Sequence, residues 1–196
     1  ERPVQLRGSR IARAALRALG WRLVFDGLPA RQGVMIVYPH TSNWDFIFAM
    51  LAKWGMGLPV RFWGKHTLFK VPVFGAWLRW LGGMPVDKNA SRGAARQMSE
   101  RMAQARAADE FFWLALSPEG TRAHREAWRS GFYRVAYEAG VPLALAFIDY
   151  PARQVGVTAC MTLSGDRAAD MALIARHLAH HRGYRPQQAA PIRLEE

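Results

Sequence analysis

Three compact apolar runs dominate this chain: Val34 to Tyr38, Phe111 to Leu116 and Leu143 to Ile148. Each is too short for a stable helix, and each gives way to polar or turn-forming residues. Runs that stay apolar at successive positions, instead of alternating, belong to strands covered on both faces, as in a parallel sheet packed inside helices. A parallel sheet also brings the segments that follow its strands to one edge. Two polar blocks follow such runs: Pro39-His40-Thr41-Ser42-Asn43-Trp44-Asp45 and Ser117-Pro118-Glu119-Gly120-Thr121-Arg122.

The intervening segments supply the helices. Thr41, Ser42 and Asn43 are good N-cap residues, and Phe46, Ile47, Met50, Leu51 and Trp54 follow at helical spacing. Further helices are expected over Val73 to Leu81, closed by Gly82-Gly83, over Arg92 to Ala108, over Gly131 to Ala139 and over Asp166 to His181. Trp21 to Phe25, Val60 to Trp63 and Met84 to Val86 read as additional strands, and Gln154 to Leu163 as an antiparallel or edge strand. With 196 residues, the expected fold is a single α/β domain, a mostly parallel mixed sheet flanked by helices. Residues 1–20 hold a short amphipathic helix, with Arg10, Arg13 and Arg17 on one side and Ile11, Ala15, Leu16 and Leu19 near another. The tail over 182–196 is expected to be loosely held.

Charge narrows the partners. The net charge is +12 and Arg far outnumbers Lys, so the surface attracts anions: acidic lipid headgroups, a cofactor's phosphates, an acidic carrier protein or nucleic acid. Nothing matches a helix-turn-helix, RNA-recognition or zinc-binding signature, so nucleic acid is not expected. No apolar run approaches the roughly 20 residues needed to cross a bilayer. Eight tryptophans are present, and Trp54, Trp63, Trp77 and Trp80 are interleaved with Lys53, Arg61, Lys65, Lys70 and Arg79. That mixture suits either core packing or an anionic membrane surface. The lone Cys160 excludes an intrachain disulfide and reads as a buried thiol. His177 and His181 stand one helical turn apart, but with no third ligand evident they read as a solvated helix face, and no metal is expected.

The two blocks carry complementary chemistry. A histidine needs a fixed tautomer and direction to act as a base, and a carboxylate on one ring nitrogen supplies both. His40 before a helix and Asp45 in its first turn can meet in that way. No G-x-S-x-G elbow occurs, so the base would activate the substrate's own hydroxyl for direct attack on an activated acyl group. In the second block Pro118 and Gly120 make a turn, Thr121 offers a hydroxyl and Arg122 can clamp a phosphate. Glu119 would repel a phosphate, so a hydroxyl or a cationic side chain is its expected partner. Lys65, in Gly64-Lys65-His66-Thr67-Leu68, could bind a phosphate or polarise a carbonyl oxygen, whereas His66 has no paired carboxylate and is given no role.

Taken in order, these segments resemble the glycerolipid acyltransferase superfamily, which contains the 1-acylglycerol-3-phosphate acyltransferases. His40 and Asp45 match its H-x4-D motif. Lys65, Leu68, Pro72, Gly75, Gly82 and Val86-Asp87-Lys88 resemble its second block, Pro118 through Arg122 match the P-E-G-T-R of its third, and Val141-Pro142-Leu143 resembles its fourth. The resemblance spans roughly residues 34 to 148. It implies acyl transfer from acyl-CoA or acyl carrier protein, as co-substrate and not as bound cofactor, to a hydroxyl such as that of a lysophospholipid. His40 would take the hydroxyl proton, Asp45 would orient it, and Glu119, Gly120, Thr121 and Arg122 would bind the acceptor, assisted by Lys65. The expected setting is cytoplasmic, peripheral on the inner face of a membrane.

The sequence departs from the family at Pro39, where Asn is frequent, at Lys88, where Arg is frequent, and at Ser117, where an aromatic residue is common. Trp44 adds bulk beside the proposed base. These changes bear on the acceptor, which leaves a second reading in which the acceptor is a non-glycerolipid hydroxyl or an amine. A third reading, of another class, is a basic membrane- or nucleic-acid-binding module without catalysis.

Overall fold

The computed structural model describes residues 4, 6–86 and 91–195. Asp87 and Lys88 of the second block lie outside the described residues. In chain order the elements are α1 (Arg10–Ala18), β1 (Arg22–Val24), β2 (Gln32–Tyr38), α2 (Trp44–Met56), β3 (Arg61–Lys65), α3 (Phe74–Trp80), β4 (Gly83–Val86), α4 (Ser91–Ala107), β5 (Phe112–Leu116), α5 (Gly131–Glu138), β6 (Leu143–Asp149), β7 (Gln154–Met161) and α6 (Arg167–Leu178). Short 3-10 turns cover His66–Lys70 and Pro186–Gln188.

The strands form one sheet in the order β1-β7-β6-β2-β5-β3-β4. From β6 to β4 all neighbours run parallel, while β7 is antiparallel to β6 and carries β1 parallel to itself. The apolar runs are buried on both sides because their alternate residues feed two cores. Val34, Ile36, Leu114, Leu143 and Leu145 face the core under α4, α5 and α6, with Met102, Phe132 and Ile174. Met35, Trp113, Ala144 and Ile148 face the other core, with Leu16 of α1 and Met56 of α2. The result is the expected helix–sheet–helix sandwich.

Close packing of that second core explains one glycine. A Cβ at Gly33 would lie 2.3 Å from the ring of Trp113, which is fully buried. At the other end of α2, Gly57 ends the helix in the left-handed conformation at φ 76, returning its N–H to Trp54.

Val73 is the opposite case. It adopts φ 61 and ψ −57, and the Phe74 N–H donates to the Pro72 carbonyl at 2.6 Å, closing a γ-turn of the rarer hand. A β-branched residue there costs on the order of 1–3 kcal/mol in backbone strain. Val73 is 85% exposed, so packing against the other described residues does not offset the cost.

Two expectations change. The segment after α6 is tied down across the ends of β2 and β5. Arg185 donates its N–H to Thr41 Oγ1 at 3.1 Å, the Tyr38 hydroxyl donates to the Ala190 carbonyl at 3.1 Å, and Trp128 exchanges main-chain bonds with Arg193 and Glu195. Its own polar main chain finds partners on the domain, so it is a strap, not a loose tail. His181, expected on a solvated face, is buried. Its ring stacks on Phe147 at 3.9 Å and its Nδ1 lies 2.9 Å from Asp149 Oδ2. Burial holds it below the ordinary histidine range against the opposing pull of Asp149. Cys160 is half-buried, and burial pushes its thiol up to about 11.

Candidate active site

Three adjacent strands, β6, β2 and β5, end on the same edge of the sheet, with Tyr38 beside Phe147 and Ile36 beside Leu116. The chain leaves β2 into Pro39-His40, β5 into Ser117-Pro118-Glu119, and β6 into Tyr150. The candidate residues therefore meet where the parallel strands stop, the usual place for a site in an open α/β sheet.

The His40 ring is partly exposed, and its Nδ1 lies 3.2 Å from Oδ2 of Asp45, which is 1% exposed. Asp45 reaches this position because it occupies the first turn of α2 and folds back over the preceding loop. Its Oδ2 accepts the N–H groups of Thr41 at 2.7 Å and Ser42 at 2.8 Å, and its Oδ1 accepts the Tyr150 hydroxyl at 2.7 Å. Here the structure differs from simple capping. Asn43 occupies the cap position in helical conformation without a side-chain cap bond; Ser42 Oγ takes the Trp44 N–H at 3.2 Å, and the Asp45 carboxylate gathers the two loop amides ahead of the helix.

Burial pushes the Asp45 carboxyl up, but hydrogen bonds with His40, Tyr150 and the Ser42 N–H outweigh it and leave the group below the usual carboxylate range. The Tyr150 hydroxyl is raised, first by burial and then by its bond to Asp45. An ionised Asp45 can accept a hydrogen bond from Nδ1, an arrangement that would leave Nε2 of His40 open to accept a proton.

Glu119 is placed differently from the expectation. The turn around Gly120, at φ 65, tucks its side chain inward, where it is 1% exposed. Oε2 accepts the His40 N–H at 2.7 Å and Oε1 accepts the Ala190 N–H at 2.9 Å. Within the chain its partners are backbone amides, not a cation. Burial is the main reason its carboxyl is pushed up to about 7; the two amides lower it and the Asp45 charge raises it.

Thr121 Oγ1 accepts the Ala123 N–H at 3.3 Å, and the Arg122 side chain is exposed. With its amide nitrogen turned inward, Gln188 of the strap donates to the carbonyls of Arg122 at 3.0 Å and Thr41 at 3.1 Å, joining the two blocks. Lys65 ends β3, beyond β5 on the same sheet edge, and is exposed. The indole of Trp44 is exposed as well, so its bulk lies outside the pair. Arg129 packs its side chain against Gly120 and has a buried Nε.

Sequence reasoning missed Tyr150 and the strap residues Gln188 and Ala190. Tyr150 did leave a signal, since it is among the first polar residues after an apolar run, as His40 is after β2. Recognising it required the strand order that sets β6 beside β2.

The Acyltransferase family model matches residues 23–148. The fold is similar to the crystal structure of the 1-acyl-sn-glycerophosphate (LPA) acyltransferase PlsC from Thermotoga maritima, with TM-score 0.55 and 18% identity over 84% of this chain and 74% of that one. None of the curated proteins compared with the chain matches it. A match over more than half of the chain, enclosing both polar blocks, places this protein in the acyltransferase family.

Proposed function

We propose that this enzyme moves a fatty acyl group from a thioester, acyl-CoA or acyl carrier protein, to the hydroxyl of a lysophospholipid such as lysophosphatidic acid. The observation that carries the reading is the His40–Asp45 contact at 3.2 Å, with every other bond to Asp45 coming from groups that hold it in place. His40 Nε2 takes the proton from the acceptor hydroxyl as its oxygen attacks the thioester carbonyl. The tetrahedral intermediate then expels the thiolate, which takes that proton from the imidazolium, and the products are an ester and a free thiol. The thioester brings its own activation, so the reaction needs no bound cofactor.

Arg122, exposed on the turn after Glu119, holds the acceptor phosphate with Thr121 and Gly120 beneath it, and Lys65 faces the anionic end of either substrate. Glu119 positions His40 through its main chain. The lipid acceptor and a surface of net charge +12 favour work at an anionic, cytoplasmic membrane face.

Mass-spectrometric identification of the lipid product, with matched wild-type and His40→Ala proteins, tests the reading. Acyl-donor-dependent thiol release should accompany a phosphate-bearing diacyl product, and both should vanish in His40→Ala. Undiminished transfer by that variant would sink the mechanism. In Arg122→Ala the KM for a phosphate-bearing acceptor should rise; an equal loss with neutral acceptors removes Arg122 from phosphate recognition.

A further inference from the structure

The surface left unused by this chemistry is built by α2, the turn over His66–Lys70 and α3. Trp44, Ile47 and Trp54 are exposed along α2, and Leu68, Val71, Val73, Phe74, Trp77 and Trp80 are exposed on the turn and α3. The helices are joined across this patch. Phe46 of α2 meets Trp77 of α3 edge to face at 6.2 Å, and Lys53 of α2 donates to the Leu81 carbonyl at the end of α3. Large apolar side chains exposed on two helices that touch, and on the turn between them, mark an interaction site.

Val73 adds an independent observation. Its γ-turn is one that glycine would adopt freely, yet the position holds a β-branched apolar residue pointing into solvent. Strain and apolar exposure coincide at one tip, and neither serves the fold in water.

Charge identifies what covers the patch. Between residues 44 and 86, Arg61, Lys65, Lys70 and Arg79 are exposed, and the only carboxylate is Asp45, which is buried. A second copy meeting this face through the same patch would set cations against cations. Acidic lipid headgroups complement them, while indoles favour the boundary between water and hydrocarbon.

We infer that α2, the 3-10 turn and α3 form a docking face for an anionic bilayer, with Val73 as its inserting tip. The inference rests on the lipid-acceptor reading and names where the enzyme meets its lipid. Trp44 directly precedes Asp45, so docking through this face carries the His40–Asp45 pair to the membrane surface.

The test is co-sedimentation of the full chain, without acyl donor, with vesicles of phosphatidylcholine alone or of equimolar phosphatidylcholine and phosphatidylglycerol. Binding should be at least about tenfold tighter to the anionic vesicles, and Val73→Asp and Trp80→Ser should each weaken it by roughly tenfold. Val73→Gly should melt higher than wild type, because the strain is relieved, and still bind vesicles more weakly. Unchanged vesicle binding by Val73→Asp and Trp80→Ser overturns the inference, as does equal affinity for the two vesicle types. A wild-type dimer in light scattering that becomes monomeric in Val73→Asp assigns the face to a second copy and overturns it too. Acyl transfer to a short-chain, water-soluble lysophosphatidic acid should persist in Val73→Asp. Loss of vesicle binding by the wild type with transfer intact removes only the docking face; vesicle binding without any transfer removes only the lipid-acceptor reading.

Discussion

Glu119 accepts the main-chain N–H of His40 at 2.7 Å, although the two residues stand far apart in sequence and their side chains have different tasks. Through its other oxygen the same carboxylate holds Ala190. One buried group thus fixes the loop carrying His40 and the strap that closes over it.

Glu119 should leave a signature in the pH dependence of stability. Its folded-state pKa is about 7 against an ordinary 4.5, so between those values the folded protein keeps a proton that the unfolded chain has released. Stability from this group therefore falls as pH rises through that window, by a few kcal/mol at most. Asp45 acts in a separate range: its pKa is lowered, so its contribution is lost only as pH falls below the ordinary 3.8. Buried His181, with its lowered pKa, opposes this by adding stability as pH rises towards 6.5, so in urea melts from pH 4.5 to 7 wild type should lose stability relative to Glu119→Gln; a difference that stays constant with pH contradicts the assignment.

Tyr150→Phe keeps the ring that packs on Trp21 and Phe48 and deletes only the hydroxyl bonded to Asp45. The expected cost is about 1–3 kcal/mol of stability, with a roughly tenfold drop in kcat, since Asp45 then orients His40 less firmly. Thiol-release kinetics beside thermal melts separate the two effects. Wild-type kcat in this variant would make Tyr150 a packing residue only.

Asp45→Asn changes the charge of the orienting group and leaves its size. Acyl transfer should fall by about 10²–10⁴-fold, as expected when a base loses its tautomer control. Circular dichroism and a melt must accompany the assay, because Asp45 also gathers two backbone amides.

Gly33→Ala tests the packing of the sheet on its α1–α2 side. The added methyl would stand 2.3 Å from the Trp113 ring, so β2 or the indole must move. A loss of about 1–3 kcal/mol is expected in denaturant melts, with the specific activity of the folded fraction retained.

Thr41→Val removes the oxygen that receives the Arg185 N–H at the start of the strap. Amide exchange at Arg185 should accelerate, and limited proteolysis within 182–195 should speed up, at a cost of about 1 kcal/mol in global stability. Exchange at Arg185 no faster than in wild type would show that the remaining contacts suffice to hold the strap.

The legible part of this molecule was what short-range pattern encodes. Apolar runs covered on both faces announced β2, β5 and β6, and helical spacing announced α2, because burial on two sides or one leaves a direct mark on residue type. The proximity of His40 and Asp45 was legible for the same reason, since a loop and one helical turn connect them. Glu119 was misread because its partners are main-chain amides, which every residue carries and no side-chain pattern reveals. Tyr150 and Gln188 depend on strand order and on the return of the chain after α6, both set by long-range packing. His181 looked solvated from its spacing, and only the stacking on Phe147 and the pairing with Asp149 place it inside.

The strap also sets an order in time. His40, Asp45 and the P-E-G-T-R turn leave the ribosome well before Ala190, whose N–H completes the coordination of Glu119. A nascent chain halted at residue 180 would carry every motif residue and both substrate-facing loops, yet Glu119 would lack one of its two amide donors and the two loops would lack their common clasp. Competence for acyl transfer is thus expected only once the strap has been made and has closed over the two loops.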